Sequence, residues 1–240
     1  MITTKKLLWL IAFSISFGFL ECAVVIYLRL IYYPSGFTFP MVNFDLNILR
    51  TEILREISTL AILTTISNLS AITFYRKLAY FLLCFGIWDI SYYCFLKIMI
   101  NWPESLLSWD ILFLIPIPWI GPVLAPCIIS LTMILLSFVI MYFSQKKTLN
   151  KINLSEWIYL ILGSILLILS FTAGSLKEIM QDFITSRSNM HLPYALTNNN
   201  IKDITENFSW VIFAIGEAMV LTGLILLINR LKKIRRPYRP

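Results

Sequence analysis

Trp88 to Pro122 reads WDISYYCFLKIMINWPESLLSWDILFLIPIPWIGP, and its first half carries the fold decision. Joined to the residues from Leu78 onward, it completes an apolar run ending at Ile100. Coiled as a helix at about 1.5 Å per residue, such a run crosses a hydrocarbon core of about 30 Å. Asp89 interrupts it near the middle. The second half repeats the Trp-Asp pair at Trp109-Asp110 and ends in an apolar segment, Ile111 to Ile120, too short to cross. Pro103 followed by Glu104 has the form of a helix start, with proline at the first position and an acid at the positive end of the dipole. This predicts a helix over about 104–115, which Pro116, Pro118 and Pro122 cannot continue. Two placements are open. In an interfacial helix, Trp102, Trp109 and Trp119 sit at head-group level. In a re-entrant one, protein surrounds the segment and Asp110 approaches Asp89.

Working outward, further apolar runs flank this stretch on both sides. The predicted spans are 7–33, 47–75, 78–100, 121–143, 155–173 and 208–228, followed by a basic tail over 229–240. The first run is too long for a signal peptide, carries Glu21 and lacks a small-residue cleavage site, so it reads as a retained span. Six spans require basic residues to collect on alternate loops. They do so at Lys5/Lys6, Arg76/Lys77, Lys146/Lys147/Lys151 and the tail. That asymmetry places both termini in the cytoplasm and the protein in the cell (inner) membrane. The tail is also suited to anionic lipid head groups. The longest polar segment, 174–207, holds the single histidine, His191, read as a loop residue.

Composition agrees. Of 240 residues, 58% are hydrophobic and only 14% charged, against about a quarter charged in globular domains. The expected fold is therefore all-α: a polytopic membrane protein forming one bundle over 1–240, with six transmembrane helices plus one interfacial or re-entrant helix. A net charge of +7 would suit nucleic acid. Because the basic residues flank apolar runs, it is read as membrane topology, with no nucleic-acid partner. Cys22, Cys84, Cys94 and Cys127 fall in apolar stretches without a CxxC pair, and are read as small buried hydrophobes.

Acids in such runs are the functional signal. Glu21, Asp89 and Glu217 at helix centres would together oppose insertion by roughly 8 to 10 kcal/mol. They are expected to be offset by protonation or by pairing with Arg55, Lys97 or a cation. Glu52 and Glu56 share one helix face. Asp89, Tyr93 and Lys97 recur at four-residue spacing, aligning an acid, a phenol and an amine. The candidate substrate- or ion-binding set is thus Glu21, Glu52, Arg55, Glu56, Asp89, Tyr93, Lys97, Asp110 and Glu217. The bland alternative is that these groups only fix helix packing through buried pairs.

A single histidine excludes bis-histidine haem ligation, HExxH zinc chemistry and di-iron bundles. No Walker or GxGxxG motif occurs, and no cofactor or metal is indicated. The leading expectation is a small transporter or proton- and cation-handling protein without enzymatic activity. One alternative is a membrane enzyme acting on a lipid or lipid-linked substrate with Glu or Asp as general acid and base. Another is a non-catalytic subunit or assembly factor of a membrane complex. The expected partners are the bilayer, a proton, small cation or lipid ligand, and a second copy or other complex member.

Overall fold

A computed structural model describes residues 4–34, 45–146, 149, 151–185 and 208–235. Six helices account for most of them: α1 (Thr4–Tyr32), α2 (Leu46–Ser70), α3 (Phe74–Ile100), α4 (Leu124–Gln145), α5 (Leu154–Thr185) and α6 (Trp210–Arg235). All but α2 are long and apolar enough to cross a membrane. The fold is the all-α, polytopic membrane type. Each helix overlaps one of the expected apolar runs, but α2 stops at Ser70, short of its expected end at 75, and α5 and α6 continue past theirs. His191, within 186–207, and the last five residues lie outside the described residues.

Side chains explain the helix ends. Asp45 caps α2 by accepting the Asn47 N–H at 2.8 Å. Asn101 closes α3 with a φ of 53°, the left-handed conformation that asparagine tolerates at a C-terminus. Ahead of α5, the Asn153 N–H donates to the Glu156 carboxylate at 2.8 Å, as an acid at the third helical position does in a capping box.

Neighbouring ends show how the chain runs. Lys6 Nζ donates to the Ser70 carbonyl at 2.9 Å, Arg76 Nε to Ser144 Oγ at 2.9 Å, and Arg230 Nε to Glu156 at 2.6 Å. One end of the bundle thus gathers the start of α1, the end of α2, the start of α3, the end of α4, the start of α5 and the end of α6. It is the basic end. Large apolar side chains face outward along the helices, Trp9, Leu30, Leu54 and Ile98 among them. Small polar ones turn inward: Ser137 Oγ donates to the Ala79 carbonyl at 2.6 Å, tying α4 to α3. Such bonds join spans at about 0.6 kcal/mol each.

α2 follows the same rule in amplified form. Its buried residues are Glu52, Glu56, Thr59, Leu63 and Ser67, and Leu54, Ile57, Ile62 and Leu69 are exposed. The two acids turn toward the protein, while the outward side mixes these apolar residues with exposed Arg50, Thr51, Ser58, Thr64, Thr65 and Asn68, so polar residues on both sides give α2 its low average hydropathy.

The expected helix over 104–115 is not formed. Residues 109–122 make an antiparallel hairpin, β1 (Trp109–Phe113) and β2 (Trp119–Pro122), pairing Trp109 with Pro122, Asp110 with Gly121, Ile111 with Ile120 and Phe113 with Trp119. The register is irregular between Ile111 and Phe113. Pro103-Glu104 predicts a start, but Pro116 and Pro118 fall where a helix would need backbone donors. In a hairpin they occupy the turn, where no ladder donor is needed. Trp119 Nε1 donates to the Ile115 carbonyl at 2.9 Å across that turn. The hairpin is embedded, with Asp110, Pro118, Ile120, Gly121 and Pro122 buried. Ser175 Oγ on α5 donates to the Pro118 carbonyl at 2.8 Å. A stack of rings, Trp88, Phe113, Trp119, Phe171 and Phe208, runs through it from α3 to the start of α6.

Close backbone approach sets three helix contacts, among them that of Gly86 on α3, where an added Cβ would stand 2.7 Å from the Ser130 carbonyl of α4. A Cβ on Gly18 of α1 would stand 2.7 Å from the Trp88 carbonyl of α3, and one on Gly163 of α5 would stand 2.7 Å from the Gly216 carbonyl of α6. None of these carbonyls is a flexible side-chain end. Gly163→Val should separate α5 from α6 and destabilise the protein by about 1–3 kcal/mol. The measurement is thermal unfolding in detergent, and an unchanged midpoint would refute the close-approach account.

Candidate functional site

Behind the hairpin, at the end opposite the basic one, lies a cavity of about 110 Å³. α1 contributes Glu21, Val25, Leu28 and Arg29, spaced to face one side of a helix. Glu52, Arg55 and Glu56 come from α2, Trp88, Asp89, Tyr92 and Tyr93 from α3, and residues 110–114 from the hairpin strand and its turn. Seven of the nine residues expected to form the site therefore meet in one place: Glu21, Glu52, Arg55, Glu56, Asp89, Tyr93 and Asp110.

Two arginines organise three of the acids. Arg55 bridges Glu21 on α1 and Glu52 on its own helix, the latter at 2.8 Å. Arg29 reaches Asp110 at 3.2 Å while its guanidinium lies 3.7 Å above the Trp102 ring, a contact that favours a cation. Tyr93 donates its hydroxyl to the other Asp110 oxygen at 3.2 Å. Burial pushes the Asp110 carboxyl from its ordinary 3.8 up to about 6, against the opposing pull of Arg29 and of the Ile111 and Tyr93 donors.

The other two acids accept hydrogen bonds from neutral donors. Both Glu56 oxygens accept the Leu114 N–H, at 3.0 and 2.9 Å. Asp89 accepts the Ser130 hydroxyl of α4 at 2.7 Å. Trp88 Nε1, in the cavity wall, has no hydrogen-bond partner among the described residues. The lining thus carries five carboxylates and two guanidinium groups. An ionised carboxylate away from water is costly unless paired, so this surplus of acids invites protons or cations.

Two expected members lie elsewhere. Lys97 is exposed and donates to the carbonyls of Asn101 and Pro103, at 3.4 and 2.9 Å. The stripe it shares with Asp89 and Tyr93 is cut short because the helix ends four residues later, leaving free carbonyls for the amine. Glu217 lines a second, larger cleft, which Asp89 also borders. Nor are all cysteines buried: Cys22 and Cys84 are, Cys127 is half-buried and Cys94 is exposed, facing outward on α3.

Arg29, Trp88 and Tyr92 complete the lining but were not among the expected residues. The signal for Arg29 was its spacing of two helical turns from Glu21. No group of three or more His, Cys, Asp or Glu side chains among the described residues is arranged to hold a metal ion.

The chain matches no protein-family model, no curated protein and no solved structure.

Two outcomes test the geometry. Arg29→Gln leaves Asp110 buried without its counter-charge and should cost about 3–5 kcal/mol, read as a lower unfolding midpoint in detergent. Asp110 makes stability depend on pH with a defined sign. Between 3.8 and about 6 the folded chain keeps a proton that the unfolded chain releases, so this contribution is present in acid and lost as pH rises through about 6. The wild-type midpoint should fall more between pH 5 and pH 7.5 than that of Asp110→Asn; equal falls would remove Asp110 as the group responsible.

Proposed function

We propose that the protein is a small transporter that handles protons or small cations through this cavity. The observation that carries the reading is the imbalance of five carboxylates, four of them buried and Glu21 half-buried, against two guanidinium groups lining one cavity. Glu56 and Asp89, which accept from the Leu114 N–H and the Ser130 hydroxyl, are the places for the exchanged charge. Ionisable groups within membrane spans are expensive and mark ion or proton pathways.

Size supports the same reading. At about 110 Å³ the cavity suits a small cation with a few waters, well under the ~300–1,000 Å³ of pockets for larger ligands. A lipid head group does not fit this volume, which is why the enzyme alternative is less well supported. Asp89 borders both the cavity and the cleft beyond it, so a proton or cation bound there is within reach of either compartment. With the basic end toward the cytoplasm, as the charge asymmetry favours, the acidic cavity opens toward the opposite face.

The test is the collapse of an imposed pH gradient in proteoliposomes on addition of sodium or potassium ions, followed with an entrapped pH-sensitive dye. Glu56→Gln and Asp89→Asn should each slow the wild-type rate at least tenfold. Lys97→Gln, outside the cavity, should leave it unchanged. Wild-type rates in both carboxylate variants, each folded and inserted normally, would exclude the proposal.

A further inference from the structure

Between α3–α4 on one side and α5–α6 on the other runs a cleft of about 450 Å³, four times the acidic cavity in volume and almost wholly apolar. Its outer end is closed by Phe113 and Trp119 of the hairpin, and its lining on α5 extends from Trp157 to Phe171. Fourteen residues of helix make that roughly 21 Å. Ile161, Ile165 and Ile168 line it and are also exposed, so the cleft opens sideways, toward where lipid surrounds the bundle.

One group in it is out of place. Glu217 is only 8% exposed. One of its oxygens accepts the Thr132 hydroxyl, and the other, Oε2, has no hydrogen-bond partner among the described residues. Ser130, the partner of Asp89, lies two residues from Thr132 on α4. Two residues along a helix is about 3 Å of rise but more than half a turn of rotation, so Ser130 and Thr132 take their carboxylates on different sides of α4. Glu217 also adjoins Gly216, which lies against Leu166 and Leu167 of α5, about midway along the cleft.

We propose that this cleft binds a lipophilic amine: a single-chain amphiphile whose ammonium head donates to Glu217 Oε2 and whose chain lies along the apolar lining. Charge complementarity selects the head. A fatty acid would bring a second carboxylate against Glu217, and a neutral alcohol would satisfy one hydrogen bond while leaving that acid without a counter-charge. A hydrated metal ion finds too few oxygens: Glu217 and Asp89 have separate hydroxyl partners, and no metal-holding group occurs among the described residues. The inference goes beyond ion handling and rests on Glu217, which the acidic cavity does not include. Its test reads binding alone, so its failure leaves the flux experiment standing.

The experiment titrates the full chain, in phosphatidylcholine nanodiscs at pH 7, with dodecylamine, dodecanol and dodecanoate, and follows the thermal unfolding midpoint by circular dichroism. A ligand of the folded state raises that midpoint saturably. Dodecylamine should do so at concentrations at least tenfold below those at which dodecanol or dodecanoate acts. Glu217→Gln should weaken the amine at least tenfold and leave dodecanol unaffected. Should that variant fail to fold, Ile165→Trp, at the exposed mouth, decides: it should abolish the response to the amine. Equal responses to amine and alcohol, or an undiminished amine response in either variant, would overturn the proposal.

Discussion

The structure depends on how backbone polar groups are satisfied where no water reaches them. In hydrocarbon, an irregular segment is tolerated only where protein surrounds it, and among the described residues 101–123 is the longest stretch between helices. Its solution has three parts. The two strands pair with each other, the chain before them is tied down by Val123 N–H to Ser108 and Leu124 N–H to Leu106, at 3.0 and 2.7 Å, and helix side chains take the remainder. Lys97, Ser175 and Glu56 each serve a main-chain group of this segment. Proline, which brings no donor, reduces the number of groups to be satisfied. Five of the chain's ten prolines fall between 103 and 126 for a reason that is energetic before it is functional.

Seating the hairpin this way creates the cavity. Asp110 is carried into the bundle on β1, and Arg29 must follow it on α1. The Leu114 N–H, left over at the turn, takes Glu56 of α2. Each contact ties one element of the outer end to another, and together they leave a space that five acids border. α2 is held there by its charges, since its outward stripe of Leu54, Ile57, Ile62 and Leu69 faces away from the protein. A chain stabilised only by helix packing would have no need of Glu56 and Asp89 as carboxylates: an amide accepts from Leu114 N–H or Ser130 Oγ as well. Their charge is the part that structural economy does not explain, and it is what the transport proposal uses.

How much of this the sequence disclosed follows from the range of each interaction. Apolar runs bounded by Lys and Arg locate spans because every residue in them meets the same solvent, so α1, α3 and α4 lie close to their expected bounds. The stripe of Glu52 and Glu56 on α2 was legible from four-residue spacing. The hairpin was not: Trp109 pairs with Pro122 through contacts that no local preference encodes, whereas Pro103-Glu104 carries a local helix signal that tertiary burial overrides. Lys97 shares the period of Asp89 and Tyr93, but period alone says nothing of a helix about to end at Asn101. Glu217 sits at the centre of its span, as expected. Which compartment it enters is decided by how Gly216 seats α6 on α5, a fact about two helices that neither contains.

Asp89 gives the arrangement its asymmetry. With Leu112 and Phe113 it forms the partition between a small charged cavity and a large apolar cleft. Phe113 is held by rings on both sides, Phe85 and Trp88 of α3 and Trp119 of β2, so the wall between the compartments is a strand edge wedged among aromatic side chains. Asp89 is anchored to α4 through Ser130, the helix that also carries the hydroxyl partner of Glu217. A change of charge at Asp89 therefore acts on α4 directly, and α4 bears on the second carboxylate within one turn. If an ion is exchanged at Asp89 and an amine is held at Glu217, the two events meet on a single helix, and no longer path between the compartments is required to couple them.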